Sequence, residues 1–181
     1  MRGIASRLGV SATALYQHFE SKDSILREIR LHGSRKLYEA LEVANSISDP
    51  VERLYAYAER YILFARQHPW LYSVLMEHEE LDWTELNEDE KRLMVGPLYL
   101  VRKALTEGNE KGVWRRDFEV LPASFQMWAA MHGLCSLLIN GRLNERHPAF
   151  PMEDQGAFLN DFVKTLVNAF LTRPVMPSQP T

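Results

Sequence analysis

The chain has 181 residues, of which 46% are hydrophobic, and a formal net charge of −3, so we expect a folded protein with a core in one compact unit or in a small head on a larger body. Its apolar runs are interrupted by polar residues well short of membrane-spanning length, and it opens without a basic-then-apolar leader, so we expect neither a membrane span nor secretion. Cys135 is the only cysteine, which excludes an intrachain disulfide and a thiolate metal cluster and favours a reducing cytoplasm.

The charges are divided unevenly along the chain. Residues 1–42 carry seven Lys or Arg against five Asp or Glu, for a net charge of +2, whereas the remainder carries fourteen against nineteen, for a net charge of −5. The N-terminal part is therefore the one that can best tolerate a polyanion.

Apolar residues recur at helical spacing along almost the whole chain, and no alternating run bounded by hairpin dipeptides is present. We therefore predict an all-α fold of eight helices. The pair His68-Pro69 forces a break between the fourth and fifth helices, because proline disfavours helical geometry in the residue before it. The predicted helices run from about Arg2 to Leu8, Ser11 to Gln17, Ser21 to Glu42, Pro50 to Gln67, Trp70 to His78, Glu90 to Glu107, Pro122 to Leu143 and Ala157 to Leu171.

The segment IASRLGVSATALYQHFESKDSIL meets the requirements of a helix-turn-helix. Ala5 is small where two helices must cross, Gly9 can take the left-handed conformation that ends a helix, and Val10 and Leu15 point inward behind the turn. Ser11 then caps the next helix. Such a motif presents the first side chains of its second helix to base edges in the major groove of DNA.

Polar side chains after this helix are suited to hold phosphates. Tyr16, His18 and Lys22 offer hydroxyl, imidazole and ammonium donors. Lys22 lies in the first turn of the next predicted helix, where the helix dipole disfavours a cation, and a DNA phosphate bound against it would explain its presence. The alternative is that Tyr16 and Phe19 are packing residues and that Lys22 is solvated.

The segment GVSATALYQHFESKDSIL resembles the DNA-binding segment of the TetR family of repressors, and the match extends over roughly residues 1–40. Family members carry an additional first helix, whereas only three residues precede Ile4 here, so we expect the sequence to begin at an internal methionine and the head to be incomplete. The resemblance implies that Ser11, Ala12 and Thr13 face bases, that Arg2, Tyr16, His18 and Lys22 hold the DNA backbone, and that Gln17 serves either role.

The segment WAAMHGLCSLLINGRL places Trp128 and His132 one helical turn apart on one face. Together with GVWRRDFEV it resembles the C-terminal regulatory domain of a TetR subgroup with a Trp-x-x-x-His-Gly pattern. We predict an apolar ligand pocket with His132 as its polar group. The alternative, that these are core residues and that His132 is a satisfied core histidine, stays open. The other candidate lining residues are Phe64, Trp70, Met76, Tyr99, Met127 and Met131.

The last two predicted helices carry apolar residues around more than one face, which predicts a homodimer formed through them, with ordinary burial in a monomer as the competing account. A dimer would place two recognition helices about 34 Å apart on a palindromic operator. We expect a DNA-binding domain with connecting helix over residues 1–42, a ligand-binding and dimerisation domain over 43–173, and a flexible tail over 174–181.

Together these features predict a cytoplasmic repressor that binds double-stranded DNA and is released by a small, largely apolar effector through a population shift. We expect no catalytic residues, no cofactor and no metal site, because the sequence has neither a paired metal-ligand spacing nor a phosphate-cradling glycine loop. The alternative function is a helical ligand-binding or protein-interaction module that no longer binds DNA.

Overall fold

The computed structural model describes residues 11–76 and 82–171, except for the side chains of Ala12, Leu15 and Tyr16. Within these residues the fold is all-α, as predicted. The helices are α1 (Ala12–His18), α2 (Lys22–Glu42), α3 (Pro50–Gln67), α4 (Pro69–Met76), α5 (Glu88–Glu110), α6 (Val120–Ile139) and α7 (Gln155–Asn168), and a 3-10 turn over Val43–Ser46 follows α2.

Several predictions fall outside the described residues: the helix from about Arg2 to Leu8, the roles of Ala5, Gly9 and Val10 at the turn, and the tail over 174–181. The helix predicted to end near His78 is described as far as Met76, where α4 ends. None of the helices in the described ranges is both long and apolar enough to cross a membrane.

Polar cap residues set the starts of the longer helices. Ser21 precedes α2, and its hydroxyl accepts the backbone N–H of Ser24 while the Ser24 hydroxyl accepts that of Ser21. Asp49 accepts the backbone N–H of Val51 at 2.7 Å, and Pro50 occupies the first position of α3, where its missing N–H costs nothing. These bonds satisfy backbone donors that the helix cannot pair itself.

The central helix of the body is α3, which packs against α2, α4, α5, α6 and α7. Its Leu54, Tyr57 and Ala65 are almost completely buried. Helix α2 is also part of this packing, since Leu37 and Leu41 are buried between it and its neighbours. Helix α2 therefore extends from the predicted DNA-binding segment into the body, where its later turns form part of the core.

The turn between α5 and α6 packs against the residues that follow α7. Trp114 donates its indole N–H to the Leu105 carbonyl at 2.8 Å, and its ring lies so close to Gly108 that a Cβ at that position would meet it at 2.3 Å. Trp114 also contacts Phe118, which packs edge-on against Phe170. Glycine is required at position 108 because of this contact.

Candidate functional site

The described part of the head presents polar side chains on α1. Ser11 caps the helix, since its hydroxyl accepts the backbone N–H of Ala14 at 3.0 Å. Thr13, Gln17 and His18 are exposed. Of the remaining predicted DNA contacts before α2, Arg2 and the side chains of Ala12 and Tyr16 lie outside the described residues.

Lys22 is the first residue of α2 and is exposed. The capping box of Ser21 and Ser24 fixes this helix end, so the positive end of the helix dipole and the Lys22 ammonium occupy the same place. Both attract an anion, and the exposed His18 lies in the last turn of the preceding helix. This arrangement is suited to a DNA phosphate.

The body contains a cavity of about 460 Å³ between α2, α3, α5 and α6, with further contributions from the end of α4 and from Trp83. Its volume lies within the range of small-molecule sites. Helix α2 lines one side with Arg30, Ser34, Leu37 and Leu41. These positions are spaced at three or four residues, which places them on one face of the helix.

The hydroxyl groups of the cavity wall donate hydrogen bonds within the protein. Ser34 donates to the carbonyl of Leu93 at 2.9 Å. Ser124 donates to the carbonyl of Val120 at 2.6 Å, and the Tyr57 hydroxyl donates to Asn45. Because these hydroxyl groups are engaged, the wall offers a ligand mainly apolar contact, together with the guanidinium of Arg30, which also donates to the Val74 carbonyl at 3.3 Å.

A buried polar chain connects the cavity to His132. The Tyr61 hydroxyl, which belongs to a lining residue, lies 3.3 Å from the Tyr72 hydroxyl, and the latter lies 2.9 Å from His132 Nδ1. Burial raises the pKa of Tyr61, and its hydrogen bond with Tyr72 opposes the shift. His132 therefore reaches the cavity through two tyrosines, and its own side chain is not among the lining residues.

The mouth of the cavity is rimmed by large apolar side chains that are exposed. They come from the segment before α5, from α5 and from α6: Trp83, Val95, Leu98, Phe125 and Trp128. Phe125 and Trp128 contact each other, with ring centroids 6.3 Å apart. The interior of the cavity is thus reached between α5 and α6.

The predicted ligand contacts fall into two groups. Met76, Met127, Trp128 and Met131 line the cavity. Phe64 is buried in the core on another side of α3, whereas Trp70 and Tyr99 are 64% and 62% exposed, and none of these three is among the lining residues.

Sequence reasoning missed the contribution of α2. Arg30 and Ser34 are buried at 7% and 2% exposure and lie on the same helix face as Leu37 and Leu41. The sequence signal that could have identified this wall is the presence of two polar residues within an otherwise apolar face of the helix. The sequence analysis also missed Met94 as a lining residue, although this residue lies within the helix predicted there.

Two further features connect this site to the rest of the molecule. Arg27 of α2 donates to the carboxylate of Glu90 and to the carbonyl of Glu85. Along α6, large apolar side chains are exposed at Leu121, Phe125, Trp128 and Leu137. The first feature links α2 to the start of α5. In the second, Phe125 and Trp128 belong to the cavity rim, whereas Leu137 lies on the opposite side of α6.

Two family models match the chain. Residues 54–162 match the model described as tetracyclin repressor-like, C-terminal domain. Residues 1–29 match the model described as bacterial regulatory proteins, tetR family. No curated protein sequence matches the chain.

Several solved structures have the same fold. A bacterial regulatory protein in the tetR family from Rhodococcus RHA1 has a TM-score of 0.70 and 17% identity, over 96% of this chain and 86% of that chain. PfmR, a TetR family transcriptional regulator from Thermus thermophilus, has a TM-score of 0.61 and 24% identity, over 94% and 86%. The transcriptional regulator FadR from Bacillus subtilis, solved with stearoyl-CoA, has a TM-score of 0.66 and 17% identity, over 92% and 86%.

Proposed function

Since the chain belongs to the TetR family of bacterial transcriptional regulators, we propose that it is a cytoplasmic, non-enzymatic repressor that leaves a palindromic operator when a small, largely apolar ligand fills the cavity. The main support is that one helix, α2, joins the head to the cavity. The helix that begins with the exposed Lys22 forms a wall of the cavity from Arg30 to Leu41. Lys22 and Arg30 are only about 12 Å apart along this helix, so a ligand that displaces the wall also displaces the head.

In the proposed complex, Ser11, Ala12 and Thr13 face the bases. The DNA backbone is held by Arg2, Tyr16, His18 and Lys22, while Gln17 takes either role. The exposure of Thr13, Gln17, His18 and Lys22 supports this assignment, because each of these side chains can reach a partner without rearrangement of the body.

The proposed ligand contacts are the lining residues Met76, Met127, Trp128 and Met131, with Tyr61 added as a polar group backed by Tyr72 and His132. We leave out Phe64, Trp70 and Tyr99, which lie away from the lining. The apolar wall favours a largely apolar ligand. The Trp-x-x-x-His-Gly subgroup is also part of the proposal, since Trp128 lines the cavity and His132 is connected to the lining residue Tyr61 through Tyr72.

We further propose a homodimer formed through α6 and α7. The exposed Leu137 of α6, which lies on the side of that helix opposite the cavity residue Trp128, supports it, as do Phe158, Phe162 and Leu166 on α7, which are only partly buried. A second copy packed on these faces would remove them from water, which is favourable by about 25 cal/mol per Å² of apolar surface.

The test is a fluorescence anisotropy titration of labelled DNA from the region upstream of the gene. We expect saturable binding that is reversed by an apolar compound such as borneol. Lys22→Ala should weaken binding to all sequences alike and reduce the salt slope of the affinity by about one. Lys103→Ala, an exposed lysine of α5, is the matched control. Unchanged affinity and salt slope for Lys22→Ala would contradict the phosphate contact, and a lack of DNA binding would favour a ligand-binding module.

A further inference from the structure

Most methionines of the described residues line the cavity. Of the five methionines among the described residues, Met76, Met94, Met127 and Met131 line it, and the fifth, Met152, does not. The four come from α4, α5 and α6 and therefore surround the space from several sides. Met127 and Met131 are 3% and 4% exposed, whereas Met76 and Met94 are half-buried.

Methionine has an unbranched side chain with three rotatable bonds and a polarizable sulfur. It can fill an irregular gap in several rotamers at little cost, and binding surfaces rich in methionine adapt to partners of different shape. The wall formed by α4, α5 and α6 can therefore change its shape around a ligand.

The opposite wall is held in one conformation. Tyr57 and Tyr61 of α3 line the cavity, and their hydroxyls are fixed by hydrogen bonds with Asn45 and Tyr72. A ligand thus meets a rigid aromatic surface on one side and an adaptable thioether surface on the other. The volume of about 460 Å³ corresponds to roughly fifteen water volumes, which leaves space for a molecule of moderate size.

We propose that the cavity is a broad-specificity site that takes largely apolar molecules of different shapes, because the four methionines repack around each of them. This inference rests on the proposed function, in which the cavity binds a ligand, and it adds the class and the range of ligands. Linear, branched alicyclic and flat aromatic molecules of equal size bind with similar affinity once their different transfer free energies from water are taken into account.

The experiment uses three alcohols with the same number of carbons and one hydroxyl each: linear 1-decanol, alicyclic borneol and aromatic 2-naphthol. Isothermal titration calorimetry on the full chain measures the three Kd values. We expect the three binding free energies, each corrected for the transfer free energy of the alcohol from water to octanol, to lie within about 1.4 kcal/mol of one another, which is tenfold in Kd. A wider spread in the native protein overturns broad specificity while the repressor function stands, and binding of none of the three overturns both.

A variant tests the role of the methionines. Met94→Leu combined with Met131→Leu keeps the wall apolar at nearly the same volume but removes rotatable bonds, and we expect the three corrected binding free energies to spread beyond about 1.4 kcal/mol. Met152→Leu, outside the lining, is the matched control and leaves them unchanged. If the double variant retains the native spread while remaining folded by circular dichroism, the methionines do not provide the breadth.

Discussion

Ser34 of α2 supplies a hydrogen bond that proline removes from α5. Pro97 lies inside α5 and has no N–H, so the carbonyl of Leu93, four residues earlier, lacks its helical donor. The Ser34 hydroxyl donates to this carbonyl at 2.9 Å. Ser34 is only 2% exposed and its bond with the Leu93 carbonyl is partly buried, so Ser34→Ala should leave this carbonyl without its donor, at a cost of about 1–3 kcal/mol.

A double-mutant cycle isolates this interaction. Pro97→Ala restores the backbone N–H that the Leu93 carbonyl lacks, so Ser34→Ala should cost less in that background. The expected coupling energy is about 1–2 kcal/mol, measured from urea unfolding followed by circular dichroism. Ser124→Ala is the matched control, since its hydroxyl donates to the Val120 carbonyl, which the helix already pairs. An equal cost of Ser34→Ala in both backgrounds, within about 0.5 kcal/mol, refutes the reasoning.

Three other expectations follow from contacts in the body. Gly108→Ala should destabilise the fold by about 1–3 kcal/mol, because its Cβ would meet the Trp114 ring; an unchanged urea midpoint would contradict this. The backbone N–H of Asn87 and the Arg27 guanidinium lower the pKa of Glu90 in the folded protein. The ionised Glu90 therefore stabilises the fold fully above its unfolded pKa of about 4.3, and this stabilisation is lost as the pH falls through the lower folded pKa. Glu90→Gln should therefore lower the Tm at pH 7, and the difference from the native chain should shrink toward pH 3; a constant difference would argue against it. Trp128→Ala should weaken release of DNA by borneol without changing DNA affinity, whereas Trp70→Ala should change neither, and equal effects would place Trp128 outside the ligand site.

Helix boundaries with a local chemical cause could be predicted from the sequence. The starts of α2 and α3 follow Ser21 and Asp49, and α3 ends at the residue before His68-Pro69. The end of α6 was predicted too late, near Leu143. The apolar spacing continues that far, but Gly141 adopts a φ of +67° and the helix ends at Ile139.

The candidate cavity was predictable only where helical spacing decides which side chains share a face. Met127 and Met131 lie one turn apart on α6 and both line the cavity. Tyr99 follows Leu98 directly, and which of the two turns toward the cavity depends on how α5 packs against α2 and α6. His132 was predicted as a direct polar contact, but the side chain of Tyr72 lies between it and the cavity residue Tyr61, which only tertiary structure reveals.

The Glu90 carboxylate serves two helices at once. It accepts a hydrogen bond from the backbone N–H of Asn87, which closes the first turn of α5. It also accepts a hydrogen bond from the Arg27 guanidinium of α2. We therefore expect fraying of that first turn to be coupled to release of α2 at Arg27. In hydrogen exchange, the amides at the start of α5 and those of α2 around Arg27 would then open together, at rates that differ from those of the central helix α3.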